Sequence, residues 1–348
     1  MDRFEIAGQA VGGGRCFVIA EAGVNHNGDV AMARALIDAA VAAGVDAVKF
    51  QTFKAERVVS PIAPKAAYQR ATTGSGESQL DMVRKLELSE AQFRDLKHHC
   101  DVEGIVFLST PFDHPSVDFL DRLGVPAFKV PSGEITNLPL LSNIAGRAKP
   151  VVLSTGMSDL DEVDRAVATL MGHGCPALAI LHCVSNYPAE PDDANLRAMA
   201  TMEAQFDRPV GFSDHTSGID IALAAAALGA AVIEKHFTLD KALPGPDHRA
   251  SLDPEELHAL VAGIRRIEQA LGDGIKRPRP SEAETRRVAR RSLFLRNALP
   301  AGQDIAPNTL VALRPAGGIE PDQTDALVGR RVVRDLAAGT MLQWSDLA

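Results

Sequence analysis

The chain has 348 residues, of which 46% are hydrophobic and 23% charged, and its formal net charge at pH 7 is -9. These values are typical of a folded protein with one large domain and a smaller one. The acidic balance and the lack of any apolar run of about 18 residues exclude nucleic acid and membrane as expected partners. Four cysteines without a CxxC pair, and an N-terminus without signal-peptide features, predict a soluble cytoplasmic protein.

Eight short, β-branched apolar runs recur along the chain. They are continuously apolar, like strands buried on both faces of a parallel sheet. The runs occupy residues 17–23, 46–52, 105–111, 127–133, 150–156, 178–184, 209–215 and 231–237. Helical patterns separate them, several beginning at Asp, Ser or Pro and ending at Gly. The alternation, the count of eight and the absence of a Gly-rich dinucleotide turn predict an α/β fold, a (β/α)8 TIM barrel.

Two regions depart from this alternation. Residues 53–88 form a long connection after the second run, which we interpret as an active-site lid, with disorder as the alternative; we name it the lid segment. After the barrel, the composition becomes basic, polar and Pro-bearing. We therefore expect a barrel over residues 1–275, a linker over 276–291 and a small domain over 292–348, whose own core would be marginal.

Polar residues stand at the carboxyl ends of the predicted strands, where (β/α)8 barrels hold their chemistry. They are Glu21, Asn25, His26, Lys49, Gln51, Ser109, Thr110, Lys129, Ser132, Glu134, Ser154, Thr155, His182, Ser185, Tyr187, Ser213, Asp214, His215, Glu234, Lys235 and His236. Lysines buried at a barrel mouth need an anion, so Lys49 and Lys129 predict a negatively charged substrate. Four hydroxyls would complete a phosphate or carboxylate cradle: Thr110, Ser132, Ser154 and Ser213. Any one of these residues alone could equally be a solvated rim residue.

His215 and His236 close the seventh and eighth predicted strands. Adjacent parallel strands lie about 4.8 Å apart, so both imidazoles could share one divalent ion. Two protein nitrogens leave positions for substrate oxygen and water, which is a catalytic rather than a structural pattern. Core packing is the alternative for each histidine alone, and we interpret His26 and His182 as supporting or packing residues.

Ten short motifs, in chain order, resemble those of the sialic acid synthase family, the nonulosonate synthases. They are AEAGVNHNGD, VKFQTF, LSTPFD, KVPSGE, LSTGM, LHCVSNYP, GFSDHT, EKHFTLD, PGPDH and RPAGGIEP. The resemblance covers essentially the whole chain, and the tail is similar to the antifreeze-like (SAF) domain of that family. It implies a TIM barrel followed by a small SAF domain of the β-clip type.

The resemblance also implies a reaction, an alkyl transfer in which phosphoenolpyruvate condenses with an N-acetylated amino sugar and releases phosphate and a nine-carbon 2-keto acid. It implies Mn2+, or another divalent ion such as Mg2+ or Co2+, at His215 and His236. Positions similar to those that hold phosphoenolpyruvate are Lys49, Thr110, Lys129, Ser132, Ser154, Ser185 and Ser213. Positions similar to those on the sugar side are Gln51, Glu134, Tyr187 and Asp247. Some members of the family carry Asn where this chain has Ser185.

Arg314 matches an arginine that one subunit inserts into the barrel of the other, so the resemblance implies a domain-swapped homodimer. Glu21 or Glu134 would orient or deprotonate the water that adds at C2, while Lys49 and Lys129 stabilise the phosphate. We expect N-acetylmannosamine as the acceptor, giving N-acetylneuraminate, with 2,4-diacetamido-2,4,6-trideoxymannose, giving N,N'-diacetyllegionaminate, as the alternative. More distant alternatives are a metal-dependent pyruvate aldolase and a non-catalytic carbohydrate-binding protein.

Overall fold

The structure is a computed structural model that describes residues 3–74 and 76–348. Ser75, which belongs to the lid segment, lies outside the described residues, as do the first two residues of the predicted barrel domain. The chain divides into two compact units, Met1–Gly272 and Asp273–Ala348. No helix among the described residues combines the length and the apolar composition needed to cross a membrane.

The first unit contains ten strands, and each of the eight predicted apolar runs contains one of them. The strands are β1 (Phe4–Ile6), β2 (Gln9–Val11), β3 (Phe17–Gly23), β4 (Ala47–Thr52), β5 (Val106–Pro111), β6 (Phe128–Val130), β7 (Val151–Ser154), β8 (Leu178–Cys183), β9 (Val210–Asp214) and β10 (Val232–His236). Strands β3 to β10 form one eight-stranded sheet in the order β5-β4-β3-β10-β9-β8-β7-β6. Every ladder in it is parallel, so the predicted barrel is confirmed as a nearly closed one.

Helices alternate with these strands and pack around them. They are α1 (Val30–Ala43), α2 (Ala55–Val58), α3 (Ala67–Thr73), α4 (Gln79–Arg84), α5 (Glu90–Glu103), α6 (His114–Leu123), α7 (Leu138–Ala145), α8 (Leu160–Gly172), α9 (Ala198–Phe206), α10 (Asp220–Ala227) and α11 (Pro254–Leu271). Side chains of Asp29, Ser89 and Asp113 cap the first turns of α1, α5 and α6, as their sequence positions predict. Helices α2, α3 and α4 lie within the lid segment, which is therefore partly helical.

The period of two residues in a strand divides the barrel core into an outer and an inner part. Along β3, Val18 and Ala20 belong to the cluster that packs against the helices. Phe17 and Ile19 belong to the inner cluster, which also includes Ile6 and Val11 from the β1–β2 hairpin. The hairpin, which the sequence analysis did not predict, therefore packs against the amino-terminal end of the barrel interior.

The second unit has two helices, α12 (Ala283–Ala289) and α13 (Thr324–Leu327), and two strands, β11 (Ser292–Leu295) and β12 (Leu310–Leu313). The strands pair antiparallel. Ten buried apolar residues form a core within this unit: Leu293, Leu295, Leu299, Ile305, Leu310, Ile319, Leu327, Val332, Leu336 and Leu342. Helix α12 lies in the segment predicted to be a linker.

Candidate active site

A cavity of about 390 Å³ lies at the carboxyl ends of the barrel strands. Each of the eight strands contributes at least one lining side chain to it: Glu21, Lys49, Gln51, Thr110, Lys129, Ser154, Cys183, Ser213, Glu234 and His236. These residues continue the inward-facing positions of the strands. In β3, for example, Glu21 follows Phe17 and Ile19 at intervals of two. A single strand period thus places apolar residues deep in the barrel and polar ones at its mouth.

Of the residues to which the sequence analysis gives a catalytic, substrate-binding or metal-binding role, all but Glu134 and Arg314 line this cavity. Ser132, Ser185, Tyr187, His215 and Asp247 reach it from loops that follow strands. Glu134 does not line it, and its Oε2 accepts a hydrogen bond from Nδ2 of Asn137 at 2.7 Å. Arg314 belongs to the second unit.

Four buried charged side chains, which we name the ionic floor, form the deepest polar layer of the cavity: Glu21, Lys49, Lys129 and Glu234. Nζ of Lys49 lies 2.7 Å from Oε2 of Glu21 and 3.7 Å from Oε2 of Glu234. Nζ of Lys129 lies 3.5 Å from Oε1 of Glu234. Glu234 therefore lies between the two lysines, and the two positive and two negative groups balance when all four are ionised.

Burial and mutual attraction shift the acid–base properties of the ionic floor in different directions. Burial raises the pKa of Glu21 to about 7 although Lys49 opposes it. Burial lowers the pKa of Lys129, and the carboxylate of Glu234 offsets only part of this effect. Burial also favours a lower pKa for Lys49, but the carboxylates of Glu21 and Glu234 outweigh this effect and raise its pKa above the usual value. Of the two carboxyl groups of the floor, Glu21 has the raised pKa, whereas the two lysines lower the pKa of Glu234 despite its burial.

Hydroxyl groups surround the two lysines. Nζ of Lys49 donates to Oγ1 of Thr110 at 3.1 Å, and Nζ of Lys129 donates to Oγ of Ser154 at 2.7 Å. A Cβ atom at Gly156 would lie 2.3 Å from Oγ of Ser185 and 2.9 Å from Oγ of Ser132. The backbone at Gly156 therefore lies so close to these two hydroxyls that a side chain there would displace them, and all four hydroxyls line the cavity with the lysines.

The two histidines face the same cavity with ring centroids 5.5 Å apart. Nδ1 of His215 hydrogen-bonds to the carbonyl oxygen of Val184 at 2.7 Å, which leaves Nε2 as the free ring nitrogen. Burial, with His215 nearby, holds the pKa of His236 well below the ordinary value, and its buried Nδ1 has no hydrogen-bond partner among the described residues. Histidine binds a metal through a neutral imidazole, and its other ring nitrogen is often held by a backbone carbonyl. His236 meets the first condition and His215 the second.

These residues fit a divalent ion held by two protein nitrogens. Among the described residues, no group of three or more His, Cys, Asp or Glu is placed to hold a metal. His26 and His182 do not line the cavity. Nδ1 of His26 accepts from the backbone N–H of Gly28 at 3.0 Å, and Nε2 of His182 hydrogen-bonds to the carbonyl oxygen of Ala194 at 2.8 Å.

A buried ion pair supports the two histidines from behind. Lys235 and Asp214 directly precede His236 and His215, and Nζ of Lys235 lies 2.6 Å from Oδ2 of Asp214. The same ammonium donates to the carbonyl oxygen of Thr216 at 2.6 Å, and Oδ1 of Asp214 accepts from the N–H and hydroxyl of Thr216. This network ties the ends of β9 and β10 together, and the sequence analysis assigned it no role.

Aromatic rings connect the histidines to the lid segment. The ring centroid of Tyr187 lies 4.1 Å from that of His215 and 5.7 Å from that of His236. The ring centroid of Tyr68, which is on helix α3, lies 5.0 Å from that of Tyr187. The sequence did not indicate Tyr68 as a site residue, because Tyr68 is not at a strand end. Glu234 is at a strand end but received no role, although an acidic residue in an apolar strand is itself a signal of a functional site.

The fold and the polar mouth together define a TIM-barrel protein with two buried lysines and several hydroxyl groups beside two imidazoles. The NeuB family profile matches residues 36–276, and the SAF domain profile matches residues 290–348. The chain belongs to the NeuB family and carries a C-terminal SAF domain.

Relatives match over almost the entire chain. An N,N'-diacetyllegionaminic acid synthase of Legionella pneumophila is 48% identical over 95% of this chain and 94% of its own. A protein of the same name from Campylobacter jejuni is 48% identical over 91% of this chain and 95% of its own. The crystal structure of N-acetylneuraminic acid synthetase from Leptospira borgpetersenii is 35% identical, covers 82% of this chain and 95% of its own, and gives a TM-score of 0.72.

Proposed function

We propose that this chain is a nonulosonic acid synthase, which condenses phosphoenolpyruvate with an N-acylated amino sugar and releases phosphate. The observation that carries the proposal is the ionic floor with its hydroxyls, which lies in one cavity with two histidines. The names of the related synthases support the same reaction class. A pyruvate aldolase would not need two buried lysines and several hydroxyls for a phosphate group.

On the phosphoenolpyruvate side, Lys49 and Lys129 bind the carboxylate and phosphate oxygens, with Thr110 and Ser154 held beside them. An entering anion exchanges contacts with Glu21 and Glu234, because both carboxylates already pair with these lysines. Glu21, whose pKa is about 7, takes the proton from the water that adds at C2. Glu134 is the weaker candidate because it does not line the cavity.

A divalent ion, Mn2+ first and Mg2+ or Co2+ as alternatives, would bind at His215 and His236. When bound, it supplies Lewis-acid polarisation of the acceptor aldehyde. Tyr187, whose ring packs against both imidazoles, keeps them in place and limits access of water. Mn2+ titration followed by electron paramagnetic resonance should show binding to the wild-type chain and at least about tenfold weaker binding to His236→Ala. Equal Mn2+ binding by the two chains would contradict this assignment.

Isotope labelling tests the reaction itself. With phosphoenolpyruvate labelled at the oxygen that bridges carbon and phosphorus, the label should leave with inorganic phosphate, because water attacks C2 and the C–O bond breaks. Retention of the label in the keto acid would contradict C–O cleavage. An absence of phosphate release with every candidate sugar would contradict the synthase proposal and favour a binding protein.

Two acceptors are candidates. Both 48% identical relatives are named for N,N'-diacetyllegionaminic acid, and the 35% identical structure is named for N-acetylneuraminic acid. We therefore place 2,4-diacetamido-2,4,6-trideoxymannose first and N-acetylmannosamine second. Comparing kcat/KM for the two sugars decides between them.

For Arg314 we propose a role in trans, in which the second unit of one subunit meets the acyl group bound in the barrel of its partner. Charge supports such an association: residues 273–348 carry twelve Lys and Arg against nine Asp and Glu, although the whole chain carries -9. Arg314→Ala and Lys49→Met chains should each be inactive alone. After mixing and subunit exchange, about a quarter of wild-type activity should return, because half of the dimers regain one intact site. No recovery would place Arg314 in the site of its own chain.

A cytoplasmic location completes the proposal. The four cysteines are buried and free in the described structure, which fits a reducing compartment. Cell fractionation followed by immunodetection tests the location, and recovery with secreted protein would contradict it.

A further inference from the structure

The wall of the cavity that the lid segment supplies is mostly apolar. Val58, Val59, Met82, Val83 and Leu86 line it from helices α2 and α4 and the chain beside them. Resting on the proposed function, we propose that this wall, which we name the lid wall, receives the end of the acceptor sugar remote from its aldehyde. The lid wall then selects an uncharged 6-deoxy acceptor, in which C6 carries a methyl group instead of a hydroxyl or phosphate group.

The aromatic rings indicate how the acceptor sugar is oriented between the two histidines and the lid segment. Its aldehyde must approach His215 and His236, where the reaction occurs. Tyr187 lies against these imidazoles, and Tyr68 of the lid segment lies against Tyr187. The part of the acceptor that extends away from the ionic floor therefore meets side chains of the lid segment.

All six cationic side chains of the lid segment are engaged elsewhere. Their partners are Glu87 for Lys54, Asp113 for Arg57, Glu77 for both Lys65 and Lys85, the Lys65 carbonyl for Arg70, and Glu56 for Arg84. None of the six lines the cavity. In the described part of the chain, the only lysine or arginine side chains that do so are Lys49 and Lys129 in the ionic floor. A phosphate group on C6 would thus enter the lid wall without a cation to bind it.

The polar groups of the lid segment that reach the cavity are uncharged. They belong to Tyr68, Gln69 and Gln79, and Nε2 of Gln79 donates to Oε1 of Gln69 at 3.4 Å. Such a long hydrogen bond is readily exchanged for one to a ligand. The two amides suit an acylamino substituent, while the valine, methionine and leucine side chains suit a methyl group.

An acceptor panel tests the selection. Phosphoenolpyruvate-dependent phosphate release is measured with the 6-deoxy diacetamido sugar, with N-acetylmannosamine and with N-acetylmannosamine 6-phosphate. We expect kcat/KM for the 6-deoxy sugar to exceed that for N-acetylmannosamine by about 10–100-fold, with the phosphorylated sugar lowest. Equal or higher kcat/KM with either of the other sugars would overturn the inference and leave the synthase proposal standing. Release with none of the three would overturn the synthase proposal.

Two substitutions test the lid wall directly. Val59→Thr and Val83→Thr each exchange a methyl for a hydroxyl group at nearly constant volume. Each should lower the preference for the 6-deoxy sugar by about three- to tenfold and leave KM for phosphoenolpyruvate unchanged. The matched control is Ile62→Thr, because Ile62 belongs to the lid segment, is 92% exposed and does not line the cavity. An unchanged preference in both valine variants, or an equal change in the control, would overturn the assignment.

Discussion

The ionic floor and the lid wall face the same cavity but are built in opposite ways. The floor consists of charged side chains on four parallel strands, of which β4, β3 and β10 are neighbours and β6 is not, and the strand ladders fix their positions. The lid wall consists of apolar side chains on two short helices and the chain beside them. The lysine and arginine side chains of the lid segment bind groups that do not line the cavity. In the proposed function, chemistry that needs fixed geometry is assigned to the sheet, whereas contacts that discriminate between acceptors are assigned to a segment that can vary without disturbing the barrel.

Two buried lysines make this contrast measurable. Lys49 is 3% exposed and pairs with carboxylates of the ionic floor. Lys65 is 6% exposed, and its partners among the described residues belong to the lid segment. Lys49→Met removes a cation to which the proposed function assigns binding of the anionic substrate and its transition state. We expect kcat to fall by at least about 10³-fold, as when a preorganised electrostatic group is lost from an active site. Phosphate-release kinetics measure this fall, and circular dichroism checks that the barrel stays folded.

Lys65→Met is the matched substitution in the lid segment. It removes the hydrogen bonds to Oγ1 of Thr73 and the carbonyl oxygen of Gly74, at 3.0 Å and 3.1 Å, without touching the ionic floor. We expect kcat to stay within about tenfold of wild type, with the larger change in KM for the acceptor. Comparable losses of kcat in the two variants would remove the distinction between floor and lid.

Tyr68 and Tyr187 form one of the contacts between the lid segment and the barrel mouth. Tyr68→Leu removes a ring–ring contact of a kind that contributes about 0.5–1.5 kcal/mol, so KM for the acceptor should rise about two- to tenfold. KM for phosphoenolpyruvate should not change, and Tyr68→Phe, which keeps the ring, should behave as wild type. A rise in KM for phosphoenolpyruvate instead would place Tyr68 on the floor side of the cavity.

The same contrast explains what the sequence could predict. The barrel and most of the floor follow from strand periodicity, because a run such as residues 46–52 fixes which side chains face inward and which end at the mouth. The pairing of Glu234 with both lysines could not be predicted, since it depends on the closure of the sheet between distant strands. Nor could the place of Tyr68, because the short helices of the lid segment are positioned by tertiary contacts rather than by a period.

Two neutral amides give the finest test of the contrast. Gln51 lines the cavity beside the ionic floor, where its Nε2 donates to Oε1 of Glu21 at 3.1 Å. Gln79 lines the same cavity from the lid segment. The hydrogen bond from Gln51 stabilises the ionised form of Glu21, so its removal in Gln51→Met should raise a pKa that is already about 7. Because protonated Glu21 cannot take a proton from water, kcat/KM should fall on the acid side.

In Gln51→Met this acid limb should move to higher pH by about 0.5–1 unit, the equivalent of one ordinary hydrogen bond. The profile of kcat/KM against pH reports groups of the free protein, which is the state that the structure describes. Gln79→Met removes an amide from the same cavity without touching Glu21. The acid limb of this variant should therefore stay in place, while its KM for the acceptor rises. An unmoved limb in Gln51→Met would show that Glu21 is not the base. An equal shift of the acid limb in both variants would show that the shift does not depend on the hydrogen bond between Gln51 and Glu21.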